Sequence, residues 1–224
     1  MGNLQITIKV PSALYLKNPD TSVLGKKIIE GAIELIDELG FEDFTFKKLG
    51  EHIQVPESSI YRYFKNKHLL LFYLINWYWN WLDYKVYLST INIKKPNEKL
   101  ENILDLILET TEKDEVFSHM DEKALSRIIP AESAKIFYNK KIRQEEKTGF
   151  FEGYKSLINR ISDIIKEISP GYPFPQLLAT TLLEGINRQK YYDEYLPSLI
   201  DKSTEQPLKD FYKQLIHNTL KLTK

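Results

Sequence analysis

Residues 44–70 read Phe44-Thr45-Phe46-Lys47-Lys48-Leu49-Gly50-Glu51-His52-Ile53-Gln54-Val55-Pro56-Glu57-Ser58-Ser59-Ile60-Tyr61-Arg62-Tyr63-Phe64-Lys65-Asn66-Lys67-His68-Leu69-Leu70. Thr45 has a hydroxyl that can accept from free backbone N–H groups, which marks a helix start. Phe46, Leu49 and Ile53 follow at helical spacing as one apolar face. Gln54 and Val55 make a turn. Pro56, with its φ preset, opens a third short helix running to about Tyr63. There Ile60 and Phe64 stand four apart, so both can face a core. Glu57, Ser58, Ser59, Tyr61, Arg62 and Tyr63 are left for the outer and flanking faces. Asn66 caps a long fourth helix that reaches about Leu88.

Upstream, Ile29, Ala32, Ile33, Ile36 and Leu39 form one apolar stripe, and Gly40 suits the left-handed residue that closes a helix. Three compact helices, two of them short and joined by a tight turn, make helix-turn-helix geometry. Downstream, Pro96-Asn97 opens a helix through Leu100, Ile103, Leu104, Ile107 and Leu108. A segment from Ala124 to Ile129 is expected to stop at Pro130. Phe150 to Ile168 is amphipathic and halts at Ser169-Pro170-Gly171. Pro175 starts a helix bearing Leu178, Leu182, Gly185 and Ile186. The last helix begins near Pro207 and is expected to bury Leu208, Phe211, Tyr212, Leu215 and Leu222.

The pattern predicts an all-α fold: an N-terminal helix-turn-helix domain (22–70) joined by a long helix to a helical body (71–224). Residues 1–21 stand apart as an arm. Leu4 to Val10 alternates like a short strand, and Pro11 and Pro19 break any helix. The arm reads as flexible or packed on the body. A DNA or subunit contact is the sharper alternative, with Lys9 and Lys17 its only charges for DNA.

Composition excludes several classes. The 224 residues contain no cysteine, which removes disulfides, thiolate metal sites and a cysteine nucleophile. The longest apolar run, Leu69 to Ile75, is far short of the ~20 residues that span a bilayer. No secretory signal is apparent, so a soluble cytoplasmic protein is expected. His52, His68, His119 and His217 are scattered, with no i, i+4 pair for a helical zinc site. No Gly-rich phosphate loop or nucleophile elbow is present. No catalytic residue, metal or cofactor is expected.

Lys+Arg and Asp+Glu both total 31. That balance does not favour nucleic acid, so any such role rests on where the charges sit. Between Lys26 and Lys67, seven basic residues (Lys26, Lys27, Lys47, Lys48, Arg62, Lys65, Lys67) meet eight acids (Glu30, Glu34, Asp37, Glu38, Glu42, Asp43, Glu51, Glu57). Six of the acids come early, and Arg62, Lys65 and Lys67 come late.

The stretch resembles the helix-turn-helix of the TetR family of transcriptional regulators. Thr45, Gly50, Val55, Ile60-Tyr61-Arg62-Tyr63-Phe64, Lys67 and Leu69-Leu70 fill the family's pattern in register. It departs at Gln54, where the family usually has glycine, and at Pro56, where it usually has a serine cap. The resemblance implies a regulator, usually a repressor, released from a palindromic operator by a small effector. The alternative is a helical ligand- or partner-binding protein that uses the fold without an operator.

The resemblance places DNA contacts at Thr45, Lys47, Glu57, Ser58, Ser59, Tyr61, Arg62, Tyr63 and Lys67. Arg62 suits a bidentate contact to guanine or phosphate, and Tyr61, Tyr63 and Lys67 suit phosphates. An unknown hydrophobic or aromatic effector would sit among Tyr73, Trp77, Trp81, Tyr84, Tyr138, Phe151 and Tyr154, unless these are plain core. The last two helices would pair with a second copy through Leu178, Leu182, Gly185, Ile186, Phe211 and Leu215, unless they close the chain's own core.

Overall fold

A computed structural model describes residues 7–109, 117–137 and 149–221, and every regular element among them is helical. Helix α1 spans Val23–Asp43, with the Ser22 side chain accepting from Gly25 N–H at 3.0 Å. It breaks at Gly40 (φ 75°, ψ 160°), a region essentially reserved for glycine, and a last turn carries Phe41 to Asp43. Helix α2 spans Phe46–His52, capped by Thr45, whose hydroxyl accepts from Lys48 N–H at 3.2 Å. Helix α3 covers only Glu57–Ile60, and turns continue the chain to Tyr63. Helix α4 runs Lys67–Thr90, with Asn66 Oδ1 accepting from Leu69 N–H.

Further on come α5 (Pro96–Leu108), α6 (Glu122–Glu132), α7 (Ala134–Phe137), α8 (Glu152–Ile168), α9 (Pro175–Tyr195) and α10 (Pro207–Leu220). Pro130 does not stop its helix; it lies inside α6. It sits in the last turn of the helix, where its missing N–H forfeits one hydrogen bond. Leu222 lies outside the described residues.

The chain forms two compact units, residues 1–81 with 111–153, and 82–110 with 154–224. In the first, α1 to α3, most of α4, α6 and α7 close around Ile28, Ile33, Phe41, Phe44, Leu49, Ile60, Phe64, Leu70, Tyr73 and Trp77, all fully buried. Helix α4 is buried on every side from Leu70 to Trp79, because apart from Asn76, whose amide donates to the Phe72 carbonyl, its sequence there is apolar or aromatic all round. The described part of the arm is a packed segment. Leu14 is fully buried, Ile8 is buried, and Leu16 N–H donates to the Tyr63 carbonyl at 2.7 Å. Of the strand-like stretch, residues 4–6 lie outside the described residues and 7–10 take no regular form.

The second unit packs α5 against α9 and α10, with α8 and the end of α4. Leu157, Ile161, Ile165, Leu183 and Ile186 fill its core. Ion pairs rim it: Arg160 to Asp83 at 2.7 Å, Lys209 to Asp105 at 2.9 Å and Lys99 to Glu167 at 3.1 Å. The Lys190 ammonium donates to the Ile107 and Glu109 carbonyls at 2.9 and 2.8 Å, closing the C-terminal end of α5.

Candidate nucleic-acid interface

The α2–turn–α3 unit is set by close backbone approach. A Cβ on Gly50 would lie 2.8 Å from the Val55 carbonyl oxygen, so only glycine lets the turn fold back onto α2. Val55 N–H then donates to the Gly50 carbonyl at 2.9 Å. Gln54 takes φ 57°, the left-handed conformation that glycine would hold at lower cost. Ile60 and Phe64 are fully buried and anchor the recognition segment, as their spacing predicts.

That anchoring leaves Ser58, Tyr61 and Arg62 exposed, with Glu57 and Ser59 half-buried beside them. Tyr61 rests edge-on against Phe46 at 5.0 Å, which holds its ring at the outer surface. On α2, Thr45, Lys47 and Lys48 are exposed. Lys48 also donates to the Asp43 carbonyl at 2.8 Å, which ties it back to the end of α1. Thr45, Lys47, Ser58, Tyr61 and Arg62 are therefore all exposed, with Tyr61 resting against α2.

Two residues expected on that surface are engaged inside the fold. Tyr63 is only 3% exposed, and its hydroxyl pairs with Ser22 Oγ at 2.7 Å. The Ser22 bond, helped by the Lys17 ammonium 5.0 Å over the ring, holds the Tyr63 hydroxyl below its ordinary range against the effect of burial. Lys67 spends its three N–H donors on the carbonyls of Phe41, Glu42 and Phe44, at 3.0, 2.9 and 2.9 Å. It closes the C-terminal end of α1, where orphan carbonyls and the helix dipole favour a cation. Side-chain type and register mark both positions, but neither reveals that the partner is the chain's own backbone.

The described members of the expected aromatic set divide between the two units. In the first unit Trp77 stacks on Trp81 at 6.3 Å and meets Phe117 edge-on at 5.3 Å. Tyr73 packs on Phe64 and Tyr15, and its hydroxyl donates to Asp20 at 3.1 Å. Phe151 packs on Phe72. Tyr73, Trp77, Trp81 and Phe151 are all buried, on α4 and just before the start of α8. Tyr84 and Tyr154 are half-buried members of the second unit, where Tyr154 donates to Glu184 at 2.6 Å; Tyr138 lies outside the described residues.

A cleft of about 600 Å³ does lie within the second unit, between α5 and α10 beside the end of α8. Leu100, Leu104, Ile168 and Ile216 give it an apolar floor, with Asn97, Glu101, Lys213 and His217 around them. Nothing in the sequence marks it, because it is made by helices meeting from three separate stretches.

Of the residues expected to pair with a second copy, Phe211 is exposed. Leu178, Leu182 and Ile186 are 7%, 2% and 0% exposed, spent on the chain's own core, and Leu215 is half-buried. The space beside Gly185 is filled by Tyr212, whose hydroxyl would lie 2.5 Å from an added Cβ. The helical stripe is real but points inward. What remains outside is Leu177, Thr181, Glu184 and Arg188 along one exposed face of α9, with Phe174 and Phe211 also exposed.

The helix-turn-helix segment is similar to known proteins. Residues 28–74 match the model of bacterial regulatory proteins, tetR family. A bacterial regulatory protein of the tetR family from Rhodococcus RHA1 superposes with a TM-score of 0.65 at 15% identity, covering 91% of this chain and 100% of that one. AibR in complex with isovaleryl coenzyme A and operator DNA gives 0.57 at 16%, covering 87% and 98%. The superantigen PfiT gives 0.61 at 14%, covering 92% and 100%. At such identities the likeness is one of fold. No curated protein matches the sequence. No helix among the described residues is long and apolar enough to cross a membrane.

Proposed function

From the match of residues 28–74 to the tetR-family model, we propose that this chain is a DNA-binding transcriptional regulator, working as a twofold dimer whose grip on a palindromic operator is released by a small ligand. The observation that carries it is the recognition segment: Ile60 and Phe64 lock it from below while Ser58, Tyr61 and Arg62 stand clear above. Arg62 reads guanine bidentately. Thr45, Lys47, Ser58, Ser59 and Tyr61 hold phosphates and fix the register. A second copy pairs through the exposed face of α9 and the flanking Phe211, so two recognition segments meet successive major grooves. The effector occupies the α5–α10 cleft, whose size suits a small molecule and whose lining offers an apolar floor and a few polar groups. Ligand and operator then weaken each other's binding by one common factor.

The test is recovery of sheared DNA from the host by the purified protein, with Arg62→Ala run alongside. The expected result is one palindromic site, bound less tightly as salt rises and bound about 10- to 100-fold less tightly by the variant. The internal engagement of Tyr63 and Lys67, with Glu57 opening α3, favours the alternative of a ligand- or partner-binding protein without an operator. Recovery of no site by wild type and variant alike would turn the reading that way.

A further inference from the structure

Phe41 sits just after the Gly40 break and is held by charged groups from other parts of the first unit. Its N–H, left without a helical partner by the break, donates to Glu132 Oε1 at 3.1 Å. Its carbonyl accepts from Lys67. Its ring, 1% exposed, lies under two ammonium groups, Lys67 at 4.8 Å and Lys135 at 5.3 Å, and meets His68 edge-on at 5.3 Å. Lys135 in turn bridges Glu132 at 2.7 Å and Glu42 at 2.8 Å. Burial alone would lower the Lys135 ammonium, but the two carboxylates outweigh it and hold it above its ordinary range.

Glu132 is 8% exposed, at the last position of α6, and α6 packs along α1. A buried carboxylate is costly unless its oxygens are taken, and here one holds a backbone N–H and the other an ammonium. Only three residues separate Phe41 from Thr45, which starts α2 and stands on the proposed DNA surface. The direction in which the chain leaves Gly40 therefore fixes where Thr45 and Lys47 meet DNA.

We propose that Glu132, far outside the helix-turn-helix in sequence, is a positioning residue for DNA recognition, acting through the Phe41 N–H, with Lys135 holding its other oxygen. The inference rests on the operator-binding reading above. The decisive variants are Glu132→Ala, which removes the acceptor, and Glu132→Gln, which keeps an oxygen for Phe41 N–H. Ile165→Ala, a core truncation in the other unit, supplies a control that loses stability without touching Phe41.

At a temperature where all three are folded, Glu132→Ala is expected to bind the recovered DNA at least about tenfold more weakly, with Glu132→Gln restoring most of the loss. Ile165→Ala should bind as wild type. Wild-type affinity in Glu132→Ala, or an equal loss in Ile165→Ala, overturns the proposal. Backbone amide spectra of the DNA-free protein judge it separately from operator binding. In Glu132→Ala, displaced resonances from Phe41 through Lys48 support the clamp, and resonances of Thr45 to Lys48 that stay in place overturn it.

Discussion

Replacing Gln54 with glycine should make the protein more stable, although nothing is added to any contact. Gln54 is exposed, and the one hydrogen bond found for it is from its own backbone N–H to the Glu51 carbonyl at 3.3 Å, which glycine keeps. Its φ of 57° puts a Cβ against its own carbonyl, at a cost of about 1–2 kcal/mol. Glycine removes that cost but loses about 0.4–1 kcal/mol through the greater freedom of the unfolded chain. The balance is a gain of about 0.5–1 kcal/mol, or about 1–4 °C in Tm for a chain of this size. Thermal and urea melts read it directly. Gln54→Ala isolates the cause, because it deletes the side chain but keeps the Cβ and should leave Tm near wild type. Gly40→Ala is the mirror case. Its φ of 75° and ψ of 160° suit only glycine, and the nearest atom to an added Cβ, Glu132 Oε1, is 3.8 Å away. The loss there, about 1–3 kcal/mol, is pure backbone strain. An alanine at 54 as stabilising as glycine, or a Gly40→Ala protein as stable as wild type, would refute the reasoning.

Three further outcomes follow from the same geometry. Lys67→Ala should cost about 2–3 kcal/mol in urea melts, since three carbonyls at the end of α1 lose a charged donor. Unchanged stability with a salt dependence of DNA binding shallower by about one charge would instead make Lys67 a phosphate contact. Burial raises the Tyr73 and Tyr78 hydroxyls well above their ordinary 10 and that of Tyr212 to about 12. With folded values above the unfolded one, their contribution is complete below pH 10 and is lost as pH climbs through the folded values. Stability should therefore fall above pH 10, and flat urea midpoints from there to about pH 11 would contradict it. Leu177→Glu, at a side chain 66% exposed on α9, should yield a folded monomer by light scattering. A variant that keeps the wild-type mass would move the pairing surface elsewhere.

By itself the sequence determined the all-helical course of the chain and the recognition segment. Those signals are local: a hydroxyl at Thr45, a four-residue step from Ile60 to Phe64, prolines at 96, 175 and 207. Helix caps and apolar periods act over a few residues, so their physics is complete within the stretch that carries them. The strain at Gln54 was signalled only by the resemblance, because the family usually has glycine at that place in the turn.

Only the tertiary structure decided what each side chain spends itself on. Lys67 reads as a free cation until the end of α1 arrives beside it, and Tyr63 reads as a surface phenol until Ser22 and the arm close over it. The stripe Leu178, Leu182, Ile186 shows a buried face in sequence but not whether the cover is this chain or another; in the structure all three are buried within the chain itself. Pro130 passes inside α6 because it falls in the last turn, where the missing N–H forfeits one hydrogen bond. Glu132 carries no signal at all. Its role comes from a backbone N–H 91 positions earlier in the chain, and a contact of that separation is fixed by packing, which no local pattern encodes.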